Sequence, residues 1–290
     1  MSSEEKNRIN GKTLYLVSTP IGNLADLSER ARKTLSEVDF IAAEDTRNTA
    51  KLLMAFGISR PLVSYHEHNK RERGSVIVER LLAGESCALV TDAGTPAISD
   101  PGEDLVRLAA EAGITVTAVP GAVAGIVALT LSGLATARFS FEGFLPRDKG
   151  ERRERLLELS RETRTMLVHE APHRLRATLS ELSDVLGEER AIAVCRELTK
   201  RNEEILRTTL SGAVEHYRTA EPRGEYVLVI AGSERGHTDT QENSLASTLS
   251  PAEHVAYYEK QGLARMDAIK AAAKDRGIPK NELYRTLHRS

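Results

Sequence analysis

The 290-residue sequence predicts an α/β protein with two α/β domains followed by a small helical tail. Short β-rich runs alternate with helical periodicity up to residue 232, residues 233–250 are polar and aperiodic, and helical periodicity returns in residues 251–290. In the first half of the chain, alternation of this kind is typical of a parallel sheet covered by helices. We therefore predict domains at 12–131 and 132–232, a linker at 233–250, and a tail at 251–290 that resembles a helix-turn-helix.

The first predicted domain contains five strands, each followed by a helix. The strands are expected at 13–18, 39–43, 61–65, 86–91 and 114–119, and the helices near 28–38, 46–56 and 69–83, after Asp100 and from Ala122. The helix after Asp100 has a strong start signal, because Asp100 can cap it and Pro101 suits its first position. The carboxyl ends of such strands form one edge of a sheet, where ligands bind.

The second predicted domain has the same kind of alternation. Its strands are expected at 140–144, 165–169, 191–195, 204–209 and 226–231, with helices at 147–161, 173–186 and 211–219. In the tail, Gly277-Ile278-Pro279 separates two short helices, and Pro279 is the expected start of the second.

Composition excludes several classes of protein. Lys plus Arg number 40 and Asp plus Glu 42, so the chain is not strongly basic. Its two cysteines, Cys87 and Cys195, lie in apolar runs and cannot build a disulfide scaffold or a Cys-rich zinc site. The longest apolar stretch, 119–134, is interrupted by glycines, Thr130 and Ser132, which argues against a membrane span. With a polar N-terminus as well, we expect a cytoplasmic protein without a metal.

Four loops follow strands of the first domain and point to a ligand cleft. They are Ser18–Asn23, Ala42–Arg47, Thr91–Pro96 and Val119–Ala122. Glycine in such loops lets the main chain approach a ligand closely, although each loop taken alone could be only a tight turn.

Well-known phosphate, hydride-transfer and hydrolase motifs are absent. No G-x-G-x-x-G follows the first strand, no G-x-S-x-G occurs, and Gly11-Lys12-Thr13 precedes a strand where a P-loop would follow one. His66-Glu67-His68 lacks the spacing of a zinc site.

A series of ordered segments resembles a known family. The segments are LYLVSTPIGNLADL (14–27), AEDTR (43–47), SYHEHN (64–69), VTDAGTPAISDPG (90–102), VPGA (119–122), FEGFLP (141–146), HEAPHR (169–174), RELTK (196–200) and GEYVL (224–228). Over about residues 12–232 the sequence resembles the ribosomal RNA small-subunit 2′-O-methyltransferases of the tetrapyrrole methylase superfamily. The resemblance implies two α/β domains of tetrapyrrole methylase type with S-adenosylmethionine in the cleft between them. It also implies a homodimer that methylates a cytidine ribose in 16S ribosomal RNA of the small subunit.

The resemblance assigns cofactor-binding roles to seven residues. Pro20 and Gly22 would border the cleft opposite the donor methyl group. The residues that would contact the donor are Asp92, Gly94, Thr95, Ala122 and His169, which ends the strand 165–169. The family often has Pro and Cys or Ser after the VPG segment, where this chain has Ala122, Val123 and Ala124, so binding there is expected through the backbone.

Methyl transfer to a ribose hydroxyl needs alignment and a group that takes up the proton. The first catalytic candidates are Glu44, Asp45 and Arg47, which cluster where the cleft floor is expected; alternatively they cap the next helix and pair with each other. The second candidates are Glu197 and Lys200, which alternatively form a surface ion pair.

RNA binding also needs cationic surface. The densest basic run, 147–155, is interleaved with acids and could equally be a solvated helix. Residues 251–290 carry 8 basic and 5 acidic side chains, a net charge of +3, although three-helix packing without RNA contact would also explain the tail. Two competing functions are a methylase of a tetrapyrrole or corrin-pathway intermediate and a non-catalytic ribosome assembly factor.

Overall fold

A computed structural model describes residues 7–233, 249–260, 263–276 and 278–287, without the side chain of Lys274. The chain forms two compact units, Met1–Gly232 and Ser233–Ser290. Residues 234–248 of the expected linker lie outside the described residues.

The first sheet is parallel throughout, as the alternating pattern predicts. Its strands are β1 (Thr13–Val17), β2 (Phe40–Ala43), β3 (Leu62–Ser64), β4 (Ser86–Val90) and β5 (Thr115–Val119), in the order β3-β2-β4-β1-β5. Its helices are α1 (Glu29–Glu37), α2 (Thr46–Ala55), α3 (Lys70–Leu82) and α4 (Gly102–Glu111). Two apolar clusters, one on each face, bury side chains such as Leu14 and Val17 completely. All five strands therefore end at the same edge.

The second sheet is mixed. Its strands are β6 (Phe139–Phe144), β7 (Thr165–Glu170), β8 (Ala191–Arg196), β9 (Glu204–Thr209) and β10 (Tyr226–Ile230), in the order β6-β7-β10-β8-β9. Only β6 and β7 run parallel; the other three pairs are antiparallel. The helices α6 (Lys149–Ser160), α7 (Pro172–Leu186) and α8 (Leu210–Thr219) pack on one face.

The helix α5 (Ala124–Ser132) covers the other face of the second sheet. Ala128 and Leu129 are buried against β7, β8 and β10, in a cluster that also contains Ile21 from the loop after β1. This helix lies on the first-domain side of the boundary expected from sequence. It therefore joins the two sheets into one unit.

The start of α4 differs from the prediction. The helix begins at Gly102, one residue after Pro101, and Asp100 accepts hydrogen bonds from the backbone N–H groups of Ala97, Ile98 and Gly102. Asp100 therefore closes a loop in which Ala97 and Ser99 adopt left-handed backbone angles.

The tail unit consists of α9 (Pro251–Lys260), α10 (Arg265–Asp275) and α11 (Lys280–Leu287). Val255, Ile269, Ala272 and Leu283 form its small core. The helix α11 starts directly after Pro279, as predicted. Within the parts of the chain that the structure describes, no helix is both long and apolar enough to cross a membrane.

Candidate functional site

The loops after β1, β4 and β5 are tied together at the carboxyl edge of the first sheet. Thr19 and Gly94 exchange two backbone hydrogen bonds, of 2.8 and 3.2 Å. Gly94 has a φ of +88°, which glycine adopts without strain. The hydroxyls of Ser18 and Thr95 lie 2.8 Å apart, and Thr95 also donates to the carbonyl of Ala122 at 3.1 Å. Three of the four loops expected at the cleft thus form one connected rim.

Gly22 provides a close contact between the two sheets. A Cβ at this position would lie 2.8 Å from the carbonyl oxygen of Leu198 and would collide with the side chain of Lys200. Both residues belong to the loop after β8, where Glu197 and Thr199 adopt positive φ angles of 51° and 65°. Gly22 is therefore required for packing against the second domain.

Glu197 and Lys200 form an ion pair that also contains Glu225. The ammonium Nζ of Lys200 lies 2.8 Å from Glu197 Oε1 and 2.7 Å from Glu225 Oε2. Burial opposes the charges, but these hydrogen bonds outweigh it, so the pKa of Lys200 is raised and the pKa of Glu197 is lowered. The arrangement therefore favours the charged form of Lys200.

The first catalytic candidates, Glu44, Asp45 and Arg47, do not form a single group in the structure. Asp45 caps α2 by accepting from the backbone N–H of Arg47 at 2.8 Å, and it also binds the Arg47 guanidinium at 2.7 Å. Hydrogen bonds from Arg47 hold the pKa of Asp45 well below its usual range. Glu44 does not share this pair: its Oε2 accepts from the Thr91 hydroxyl at 2.8 Å. The structure thus brings Glu44 to the loop after β4.

Asp92 lies at a cavity between α2 and the loops after β1 and β4. Its Oδ2 accepts from the side-chain amide of Asn48 at 3.1 Å. The cavity has a volume of about 300 Å³, and Pro20, Lys51 and Thr91 are among its lining residues. Asp92 and Pro20 therefore share one cavity.

His169, the penultimate residue of β7, lies within an aromatic group. The rings of Phe141 and Phe144 meet the imidazole edge to face, at centroid distances of 5.4 and 5.6 Å. Burial lowers the pKa of His169, and its Nε2 has no hydrogen-bond partner among the described residues. A β-bulge between Phe141 and Gly143 turns this end of β6, and a Cβ on Gly143 would lie 3.1 Å from the Ser99 hydroxyl of the first domain. The end of β6 that packs on His169 therefore lies against the first domain.

Comparison with known proteins identifies the family. Residues 13–214 match the tetrapyrrole (corrin/porphyrin) methylases. A ribosomal RNA small subunit methyltransferase I from Halalkalibacterium halodurans is 49% identical, over 95% of this chain and 94% of the relative. The protein of that name from Bacillus subtilis is 47% identical over 96% of both chains.

The chain belongs to the ribosomal RNA small subunit methyltransferase I family. It is therefore a methyltransferase with a tetrapyrrole methylase fold, as the ordered segments of the sequence imply. A solved uroporphyrin-III C-methyltransferase from Thermus thermophilus, complexed with S-adenosyl homocysteine, shares this fold. Its TM-score is 0.55 at 18% identity, over 76% of this chain and 97% of the other. Neither competing function gains support from the near-full-length relatives.

Four residues beside the predicted site residues were not singled out from the sequence: Asn48 and Lys51, which line the cavity with Asp92, and Phe141 and Phe144, which contact His169. Asn48 and Lys51 follow the AEDTR segment on the first turns of α2. A polar helix turn directly after a strand is a sequence feature that points to such residues. Three of the five phenylalanines of the chain lie in β6, and this concentration in an aromatic-poor sequence was a second signal.

His66 and His68 form an edge-to-face ring contact at 5.9 Å, and the intervening Glu67 pairs with Lys70. No group of three or more potential metal ligands among His, Cys, Asp and Glu occurs in the described part of the methyltransferase.

Proposed function

We propose that this methyltransferase transfers the methyl group of S-adenosylmethionine to the ribose 2′-hydroxyl of a cytidine in 16S ribosomal RNA, in the cytoplasm. The observation that carries the proposal is the 49% identity over 95% of the chain to a relative named for the small-subunit RNA. That similarity includes both α/β domains and the tail, whereas the structural likeness to a porphyrin methylase is confined to 76% of the chain.

The junction of the two sheets suits the proposed donor. The buried Nε2 of His169 can bond to a ligand, and Phe141 and Phe144, which are 37% and 58% exposed, offer aromatic surface to an adenine ring. Backbone groups of Gly94 and Ala122 would contact the donor. Asp92 and Thr95 are the remaining expected contacts, and Pro20 and Gly22 would border the cleft opposite the donor methyl group. When bound, the donor supplies an electrophilic methyl group on a sulfonium.

Glu44 is the proposed general base for the ribose hydroxyl. Its carboxylate is bound by a neutral hydroxyl, whereas those of Asp45 and Glu197 are held by cations that lower their pKa values. A carboxylate with a lowered pKa is a weaker proton acceptor. Arg47 and Lys200 are the proposed stabilisers of the developing alkoxide, and each must share its charge with the carboxylates it already binds.

A second copy of the chain is the proposed partner. The sequence of α5 is apolar around its whole circumference, which is typical of a helix buried on all sides. Ile126 is nevertheless 40% exposed, and Phe139 on the edge strand β6 is 37% exposed. A homodimer would cover such apolar surface. Sedimentation equilibrium should give twice the chain mass of 31.8 kDa, and the monomer mass at micromolar concentration contradicts the dimer.

The transfer itself can be tested directly. The protein is incubated with methyl-labelled S-adenosylmethionine and small ribosomal subunits that lack the modification, and the labelled atom is located in the RNA. We expect the label on the 2′-oxygen of one cytidine. Donor binding without transfer to RNA would instead point to a small acceptor, and RNA binding without donor binding to a non-catalytic assembly factor.

A further inference from the structure

A cavity that borders the proposed donor site, and shares Pro20, Gly22 and Asp92 with it, has the chemistry of a nucleobase pocket. It has a volume of about 300 Å³, at the lower end of the usual range of small-molecule sites, which is roughly 300–1,000 Å³. Pro20 and Leu24 line it from the loop after β1, and Leu52 and Ala55 line it from α2. A flat, largely apolar ring could be held between these groups.

The cavity contains a side-chain amide and a carboxylate that are bonded to each other, and Thr19, Thr49 and Thr91 are also among its lining residues. Asn48 Nδ2 donates to Asp92 Oδ2 at 3.1 Å. A side-chain amide has two N–H donors and a carboxylate has several acceptor positions, so each group keeps capacity for a ligand. The pair therefore presents a donor beside an acceptor. Lys51, which also lines the cavity and makes no ion pair with the described residues, adds a cation suited to a phosphate.

We propose that this cavity holds the base of the acceptor nucleotide and that Asn48 and Asp92 select it, an inference that rests on the proposed function. Cytosine has an amino group that can donate to Asp92 and a ring nitrogen, N3, that can accept from Asn48. Uracil has the reverse pattern, because its O4 is an acceptor and its N3 carries a proton. With uracil the Asp92 carboxylate would face an oxygen, so the pair discriminates between two bases of nearly the same size. The carboxylate also argues against a phosphate at this position.

The sharpest test exchanges the two side chains. In the double variant Asn48→Asp/Asp92→Asn the amide–carboxylate hydrogen bond can re-form in the opposite direction, with almost no change of volume or net charge. Asn48 is the third residue of α2, where an acidic side chain is favourable to the helix. The variant is therefore expected to fold. Asn10→Asp, at an exposed position that does not line the cavity, serves as a control for a carboxylate placed elsewhere.

The measured quantity is the ratio of initial methylation rates on small subunits that carry cytidine or uridine at the target position. For the wild type we expect cytidine to be preferred by roughly tenfold to a hundredfold. In the exchanged variant the ratio should fall at least about tenfold, while Asn10→Asp keeps the wild-type ratio. Because both substrates use the same donor and the same enzyme preparation, changes in folding or donor affinity cancel in the ratio.

The outcomes separate the two proposals. An active wild type whose ratio is unchanged in the exchanged variant, or a variant that loses both activities equally, overturns the base-selecting role of Asn48 and Asp92. A wild type that transfers label to neither substrate, although it binds S-adenosyl homocysteine by calorimetry, contradicts the proposed function itself.

Discussion

At the residue scale, three carboxylates near the cleft differ in what holds them. Asp45 is bound by Arg47 within its own helix start, Glu197 by Lys200, and Glu44 by the hydroxyl of Thr91. The first two pairs join residues two and three positions apart, and the sequence raised both as alternatives to catalysis. The contact of Glu44 joins residues 47 positions apart. It depends on the pairing of β2 with β4 in the sheet, which local sequence does not encode.

Replacement of Glu44 tests the proposed base. The variant Glu44→Gln should lower kcat by about 10²–10⁴-fold, because the amide cannot take up the proton of the ribose hydroxyl. Its affinity for S-adenosyl homocysteine, measured by calorimetry, should stay close to that of the wild type.

Asp45→Asn is the matched control for that variant. It makes the same chemical change one residue away, and asparagine caps helices as well as aspartate does. We expect its kcat to stay within a few-fold of the wild type. Equal losses in the two variants, or wild-type turnover in Glu44→Gln, would exclude Glu44 as the base.

At the scale of elements, hydrophobic periodicity and the positions of glycine and proline predicted all ten strands and the helices between them to within a few residues. The placement of α5 against the second sheet was not predictable in this way. Its uniformly apolar sequence indicates that the helix is buried but not which sheet it packs against. The same limit applies to β6. Its bulge, which brings Phe141 and Phe144 against His169, depends on pairing with β7.

A buried histidine links two helices of the tail. His254 of α9 is fully buried, and its Nδ1 accepts from Arg276 Nε at 3.1 Å. Its Nε2 lies 3.3 Å from the Asp275 carboxylate, which also accepts from the Tyr258 hydroxyl. Burial, together with the positive charge of Arg276, lowers the pKa of His254 despite the opposing effect of Asp275. The neutral imidazole is therefore the form that the folded tail favours.

Acidification should weaken the tail unit. The unfolded chain takes up a proton at His254 near pH 6.5, whereas the folded tail does so only at a lower pH. The free energy of unfolding is thus expected to fall from about pH 6.5 downward and to level off below the pKa of the folded state. Amide hydrogen exchange of α9 to α11 in the full chain, corrected for intrinsic rates, should show less protection at pH 5 than at pH 7.5.

The variant His254→Gln removes the titrating group and is the control for this effect. It should lower the protection of the tail at both pH values and abolish most of the difference between them. A wild-type tail with equal protection at both pH values, or a variant that keeps the full difference, contradicts the role of His254.

At the scale of the whole molecule, net charge is a poor guide to RNA binding. The chain totals −2, yet its tail carries +3 and folds as a separate compact unit. In the helix α6 part of the basic run is already neutralised. Arg152 is buried against Glu181, and Arg155 binds Glu142 and Glu158. The tail is therefore the better candidate for phosphate contacts.

Removal of the tail tests this assignment. A chain that ends at Ser250 should bind S-adenosyl homocysteine with wild-type affinity, because every proposed donor contact lies before residue 233. Its methylation of small subunits should fall about tenfold or more. The plot of log affinity against log salt for RNA should also become shallower, by about 0.7–0.9 for each phosphate contact that is lost.

A charge-neutralised tail separates phosphate contact from packing. Lys270, Lys280 and Arg285 are exposed, and the residues that the structure describes supply no ion pair to any of them. Replacing all three by Gln removes the charges but leaves the core around Leu283 intact. If the tail binds phosphates, this variant should reproduce most of the loss of activity and most of the change in salt dependence. Unchanged activity in both the shortened chain and the Gln variant would mean that the three helices only pack together, and that the methyltransferase holds its RNA without them.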